Sequence, residues 1–215
     1  MTKAVIFDLD GTLLDTLDDL ADSMNAVLGR LGFPAHEADA YKYFIGDGMV
    51  NLARRALPPD RRDEELVQSV VLSMEEEYAL SWDAKTGPYP GVPELLEALE
   101  VRGKGMSVLS NKPDGFTRTM VAHFFPGRTF AFVHGARDGV PRKPDPQAAL
   151  EIAVGMDVPP RDICYLGDTA TDMKTARAAG MLAVGALWGF RDEEELRDSG
   201  AAFVISRPSE LLACV

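Results

Sequence analysis

Apolar residues along the chain fall into two textures. Short, nearly unbroken apolar runs recur at Ala4–Phe7 and at residues 106–109, 130–133, 163–166, 182–187 and 202–205. Between the later runs, apolar positions return at helical spacing over residues 93–101, 115–125, 145–156, 172–179, 193–198 and 209–212. Strand and helix in alternation predict an α/β domain, Rossmann-like, with a mostly parallel sheet. The unbroken apolar character of the runs predicts strands covered on both faces.

One region departs from this rhythm. Residues 15–85 hold no convincing strand, and their apolar positions recur at three and four. Leu14, Leu17, Ala21, Met24, Leu28 and Leu31 form one such set, which Gly32 terminates. Met49, Leu52, Ala53, Ala56 and Leu57 form a second, stopped by Pro58-Pro59, and Leu66, Val67, Val70, Val71, Met74 and Tyr78 a third. The stretch from Lys85 to Gly91, with its glycines and prolines, reads as a return linker. An all-helical insert is therefore expected over 15–85, inside a core made of 1–14 and 86–215.

Composition narrows the setting. The 215 residues carry a net charge of −12, with 46 % hydrophobic and 26 % charged residues, which suits a globular chain and excludes disorder. No window approaches the roughly 20 apolar residues of a membrane span, and Asp8 interrupts the first apolar run too early for a signal peptide. A cytoplasmic protein is expected, with no membrane partner. The acidic balance argues against nucleic acid as partner. It leaves room for an anionic small molecule, since one local cation reverses the sign of a site. Cys164 and Cys214 share no metal-binding or redox spacing, and Cys164 sits in an apolar run as a buried thiol would.

Four segments carry candidate chemistry. Asp8-Leu9-Asp10-Gly11-Thr12 directly follows the first apolar run. It reads as an acidic turn, or as carboxylates gathered where open α/β sheets bind ligands. A calcium loop is disfavoured, because Leu13 stands where that loop needs glycine. Ser110, after the run 106–109, reads as a helix cap or as a hydroxyl at the same sheet edge. Lys143, between Arg142 and Pro144, reads as a solvated lysine or as an ammonium stiffly held by Pro144 and Pro146. Asp168 and Asp172 follow the run 163–166 and read as helix-start residues or as site carboxylates. Together they change the picture, because a parallel sheet sets strand ends side by side. With Asp10 protonated, Asp8, Asp168 and Asp172 face Lys143 with a surplus of negative charge that one Mg²⁺ would balance.

The order D-x-D-x-T, Ser, Lys and G-D-x-x-x-D resembles the four motifs of the haloacid dehalogenase superfamily, over essentially the whole chain. The insert resembles that superfamily's helical cap. Phe44-Ile45-Gly46-Asp47-Gly48, Arg55-Ala56-Leu57, Ser110-Asn111-Lys112-Pro113 and Trp188-Gly189-Phe190-Arg191 are most similar to phosphoglycolate phosphatases. The resemblance implies a magnesium-dependent phosphomonoester hydrolase acting on a small phosphorylated metabolite, with 2-phosphoglycolate the leading substrate. Pyrophosphatases, nucleotidases and sugar-phosphate phosphatases share much of the pattern, and a non-catalytic phospholigand-binding protein is the alternative of another class.

By the same resemblance, Asp8 matches the nucleophile that forms an aspartyl-phosphate and Asp10 the general acid and base. Thr12, Ser110 and Asn111 match substrate-binding positions, and Lys143 the cation steadying Asp8 and phosphate. Asp8, Asp168 and the Asp10 carbonyl match magnesium ligands, with Asp172 in support. Arg55 is the expected reader of a substrate carboxylate, since its fork matches one bidentately; Lys42 and Arg54 compete with it. Dehalogenases of the superfamily lack the second aspartate, present here as Asp10. Related phosphohexomutases carry a histidine where this chain has Leu20. Trp188 is a candidate either to close over the site or to pack in the core.

Overall fold

The computed structural model describes residues 2–215. In chain order its elements are β1 (Ala4–Phe7), β2 (Leu14–Asp15), α1 (Leu17–Arg30), α2 (Ala38–Phe44), α3 (Met49–Ala56), α4 (Glu64–Ala79), β3 (Gly87–Pro88), α5 (Val92–Val101), β4 (Gly105–Pro113), α6 (Asp114–Phe124), β5 (Phe132–Ala136), α7 (Gln147–Gly155), β6 (Ile163–Gly167), α8 (Ala170–Ala178), β7 (Leu182–Ala186), α9 (Glu193–Asp198) and β8 (Phe203–Ile205). The chain divides into two units. One ends its first segment at Leu14 and resumes over Pro88–Val215; the other is Asp15–Gly87.

In the first unit six strands pair in the order β5-β4-β1-β6-β7-β8, and every neighbouring pair is parallel. From β1 the chain moves outward through β4 and β5. It then returns to β1's other flank with β6 and moves outward again. The order thus reverses between β1 and β6, and such a switch point opens a crevice beyond the carboxyl ends of the strands. All four residues of β1 are buried. On one face Ala4, Ile6, Ile163 and Tyr165 pack with Ala149 and Ile152 of α7 and with Met173 and Ala176 of α8.

The edges of the elements depart from the periodicity. β4 runs on to Pro113, well past its apolar run, and its register against β5 shifts between Leu109 and Pro113. Ser110, Asn111 and Lys112 are buried there despite their polarity. β5 begins at Phe132 rather than 130, because pairing with Ser107, not local propensity, sets its start. The expected last helix is a 3₁₀ segment, Pro208–Ala213.

The second unit is helical, with α1 packed on α2 and α4, and α3 on α2 and α4. The apolar stripes supply its core: Leu20, Met24 and Leu28 from α1, and Val67, Val70, Met74 and Tyr78 from α4. Helix α2 has no such stripe, since only Tyr41 is buried, and periodicity did not predict it. It is held instead by the Tyr41 hydroxyl, which donates to Asn25 Oδ1 at 2.7 Å, and by edge-on packing of Tyr41, Phe44 and His36. Among the described residues, no helix is long and apolar enough to cross a membrane.

Candidate active site

Asp8 follows β1 directly, and its backbone N–H extends the ladder to the Leu166 carbonyl at 2.9 Å. Its Oδ1 accepts from the Leu9 N–H at 2.7 Å and lies 2.8 Å from Lys143 Nζ. Lys143 belongs to the loop between β5 and α7. The carboxamide of Asn111 holds it there, donating from Nδ2 to the Lys143 carbonyl at 3.0 Å and accepting from the Lys143 N–H at Oδ1 at 2.9 Å. The Asn111 amide thus braces the backbone of the lysine.

The Lys143 ammonium also donates to Asp172 Oδ1 at 2.7 Å. Asp172 Oδ2 accepts from the N–H and hydroxyl of Thr169, at 3.1 and 2.7 Å. One oxygen of Asp172 secures the start of α8 and the other faces the lysine. Asp168, at the end of β6, accepts from the Thr12 hydroxyl at 2.8 Å and from the Phe190 N–H at 2.9 Å, one bond on each oxygen. Two glycines make room for it. A Cβ at Gly11, where φ is +79°, would lie 2.2 Å from Asp168 Oδ2, and one at Gly189 would lie 2.4 Å from Asp168 Cβ.

Asp10 stands apart from this group. Lys112 Nζ donates to its Oδ1 at 2.9 Å and approaches Oδ2 at 3.3 Å. The Lys112 N–H donates to the Ser110 hydroxyl at 3.2 Å. Ser110 is not the cap of α6, where Pro113 takes that position. Asp10 thus has a cation of its own in Lys112, separate from the Lys143 ammonium that faces Asp8 and Asp172.

Asp8, Asp168 and Asp172 lie together, all buried, and the Lys143 ammonium pairs with Asp8 and Asp172. Each can offer an oxygen, and the three oxygens lie within 4.8 Å of one another. Burial pushes the Asp8 carboxyl well above the usual range, and Asp172 adds to this against the pull of Lys143. Burial, then Asp172, raises Asp168 to about 7, although Phe190 and Thr12 favour its charged form. Burial alone would weaken the Lys143 ammonium, but Asp172 and Asp8 outweigh it and hold its pKa well above the usual value. Carboxylates driven up beside a firmly charged lysine mark a site short of positive charge. An all-oxygen donor set suits a hard divalent cation.

The profile of the haloacid dehalogenase-like hydrolases matches residues 5–186. The chain belongs to that family. A Pseudomonas aeruginosa relative, phosphoglycolate phosphatase 1, is 31 % identical over 218 residues, covering 100 % of this chain and 80 % of that protein. A phosphoglycolate phosphatase of Pseudomonas putida is 32 % identical, covering 99 % and 79 %. The crystal structure of a Lactobacillus delbrueckii subsp. bulgaricus protein shares the fold at a TM-score of 0.93 and 30 % identity, over 100 % of this chain and 98 % of that one. A β-phosphoglucomutase from Clostridium difficile shares it at 0.80 and 21 % identity, over 98 % and 93 %. The haloacid dehalogenase-like fold thus houses more than one phosphate chemistry, and residues must choose among them.

Two contributors to the site were not assigned from the sequence of this family member. Lys112 lies on β4 two residues after Ser110, in the part of the strand where the register against β5 shifts. The indole N–H of Trp188 donates to the Thr12 carbonyl at 3.0 Å, tying the 188–190 segment to the first motif. Arg55 lies on α3 of the helical unit. It pairs with Asp47 and donates to the Phe44 carbonyl at 3.1 Å.

Proposed function

We propose that this family member hydrolyses small phosphomonoesters through an aspartyl-phosphate, with Mg²⁺ at the acidic cluster and 2-phosphoglycolate as substrate. The observation that carries the reading is the Lys143 ammonium bridging Asp8, at the end of β1, and Asp172. A structural ion pair needs one carboxylate per lysine. An ammonium shared by two buried carboxylates, with the buried Asp168 gathered beside them, instead suits a site that receives cations and a phosphate.

Asp8 Oδ1 is engaged by Leu9 and Lys143, so Oδ2 is the atom that attacks phosphorus. The Oδ2–P bond forms as the ester P–O bond breaks, and the leaving oxygen takes the proton of Asp10. Asp10, now a carboxylate, takes a proton from a water whose oxygen attacks the same phosphorus. The Asp8–P bond breaks, and inorganic phosphate leaves. Lys143 holds Asp8 in place and stabilises charge on the phosphoryl oxygens. Thr12 and Ser110 supply hydroxyls at the same sheet edge. Asp8, Asp168 and the Asp10 carbonyl would hold the magnesium, with Asp172 in support. When bound, the ion supplies positive charge to carboxylate and phosphate oxygens.

The choice of 2-phosphoglycolate follows the names of relatives that span the chain. Leu20 in place of the mutase histidine favours hydrolysis over phosphoryl return to a sugar. Arg55 is assigned to the substrate carboxylate. A panel of small phosphoesters assayed with and without Mg²⁺ tests the reading: magnesium-dependent phosphate release, fastest on phosphoglycolate, is expected. Failure to release phosphate from any ester overturns it.

A further inference from the structure

We propose that Lys112 is the positioning residue of Asp10, holding its carboxylate where it exchanges a proton with the leaving-group oxygen. The inference rests on the acid–base role assigned to Asp10 above. Asp10 sits in the turn after β1, beyond the sheet ladder that orients Asp8, so its side chain needs another anchor. Lys112 supplies one from the neighbouring strand β4, with its side chain only 3 % exposed against 13 % for Asp10.

The two contacts are unequal, at 2.9 Å to Oδ1 and 3.3 Å to Oδ2. An ammonium donating to both oxygens, more closely to Oδ1, limits rotation of the carboxylate. The ammonium has no lone pair, so the Asp10 proton passes to the leaving oxygen and not to the lysine: the Asp10 O–H bond breaks as the alcohol O–H bond forms. The arrangement also sorts the site's cations. Lys143 serves Asp8 and Asp172, and Lys112 serves Asp10, so nucleophile and acid do not compete for one ammonium. The segment Ser110-Asn111-Lys112 then has a job for each side chain. Ser110 presents a hydroxyl, Asn111 fixes the lysine of the nucleophile, and Lys112 fixes the acid.

The test compares kcat/KM, which reports the step that expels the leaving group, on two esters. Phosphoglycolate needs its leaving oxygen protonated; 2,4-dinitrophenyl phosphate does not. Lys112→Met should lower kcat/KM on phosphoglycolate by about tenfold or more beyond any loss on the dinitrophenyl ester, as expected when general acid catalysis is impaired. Lys112→Gln, which keeps a donor, should recover part of it. The double variant Lys112→Met/Asp10→Asn should be no slower than Asp10→Asn, because both act through one group. The rate on the dinitrophenyl ester reports whether each variant is folded, and Lys112→Gln carries the comparison if the methionine variant is not. Equal losses on both esters, additive losses in the double variant, or a change confined to KM for phosphoglycolate would each overturn the inference. If Asp10→Asn itself loses equally on both esters, the acid role of Asp10 falls, and the inference with it. That outcome is visible without any Lys112 variant.

Discussion

Asn111 and Lys143 exchange two hydrogen bonds, side-chain amide against main chain, at 3.0 and 2.9 Å. Both residues are buried. The loop that carries Lys143 is therefore fixed by a residue on β4, and the ammonium reaches Asp8 and Asp172 from a pinned backbone. Replacing Asn111 with leucine leaves a buried N–H and a buried carbonyl of Lys143 unpaired, at about 1–3 kcal/mol each. Asn111→Leu should lower kcat by about ten- to a hundredfold, with KM little changed and a lower Tm. A rise in KM alone would return Asn111 to the substrate contacts.

Asp8→Asn should abolish turnover while preserving the fold, because the amide oxygen can still accept from Leu9 but cannot attack phosphorus. The loss should be several orders of magnitude, as for other covalent nucleophiles. Steady-state assay with a circular dichroism check decides it. A folded variant working within about tenfold of the parent would reject Asp8 as nucleophile.

The surplus of carboxylates couples metal binding to pH. Asp8 and Asp168 have folded-state values raised above their ordinary ones. Each thus contributes stability that is fully present below the ordinary value and lost as pH rises through the folded value. For Asp168 that window runs from 3.8 to about 7. Without magnesium, Tm should fall across this window more than it does in Asp168→Asn. Because the metal needs the ionised carboxylates, its affinity should rise with pH up to about 7, by at most about tenfold per unit for one released proton. Calorimetric Tm with and without Mg²⁺, at about pH 5.5 and about pH 8, should show the larger magnesium increment at the higher pH. An increment independent of pH would remove these carboxylates from the metal's ligands.

Arg55→Ala should lower kcat/KM for phosphoglycolate by about ten- to a hundredfold, the worth of one charge-assisted contact, and leave an uncharged aryl phosphate nearly unaffected. Equal losses on the two esters would instead assign Arg55 to its structural partners, Asp47 and the Phe44 carbonyl. No loss on either would move the assignment to Lys42 or Arg54.

The sequence alone determined what is local and contiguous. Apolar runs long enough for a buried strand place Asp8 and Asp168 just beyond the carboxyl ends of β1 and β6, because a parallel sheet aligns its carboxyl edges, whereas Ser110 falls inside β4, which runs on to Pro113. The helical stripes of α1 and α4 were legible for the same reason, since one period serves both propensity and burial. What only the tertiary structure decided is which group faces which. Lys143 and Asp8 meet because β1 and β4 are neighbours and Asn111 pins the loop, a partnership no spacing encodes. Lys112 finds Asp10, and Phe190 and Trp188 find Asp168 and Thr12, because buried donors and acceptors far apart in the chain must satisfy one another. Helix α2, with a single buried residue, had no stripe to announce it and exists through its contacts. Periodicity reports how one segment meets an average core, whereas the pairing of charges in a site depends on the particular segments that close around it.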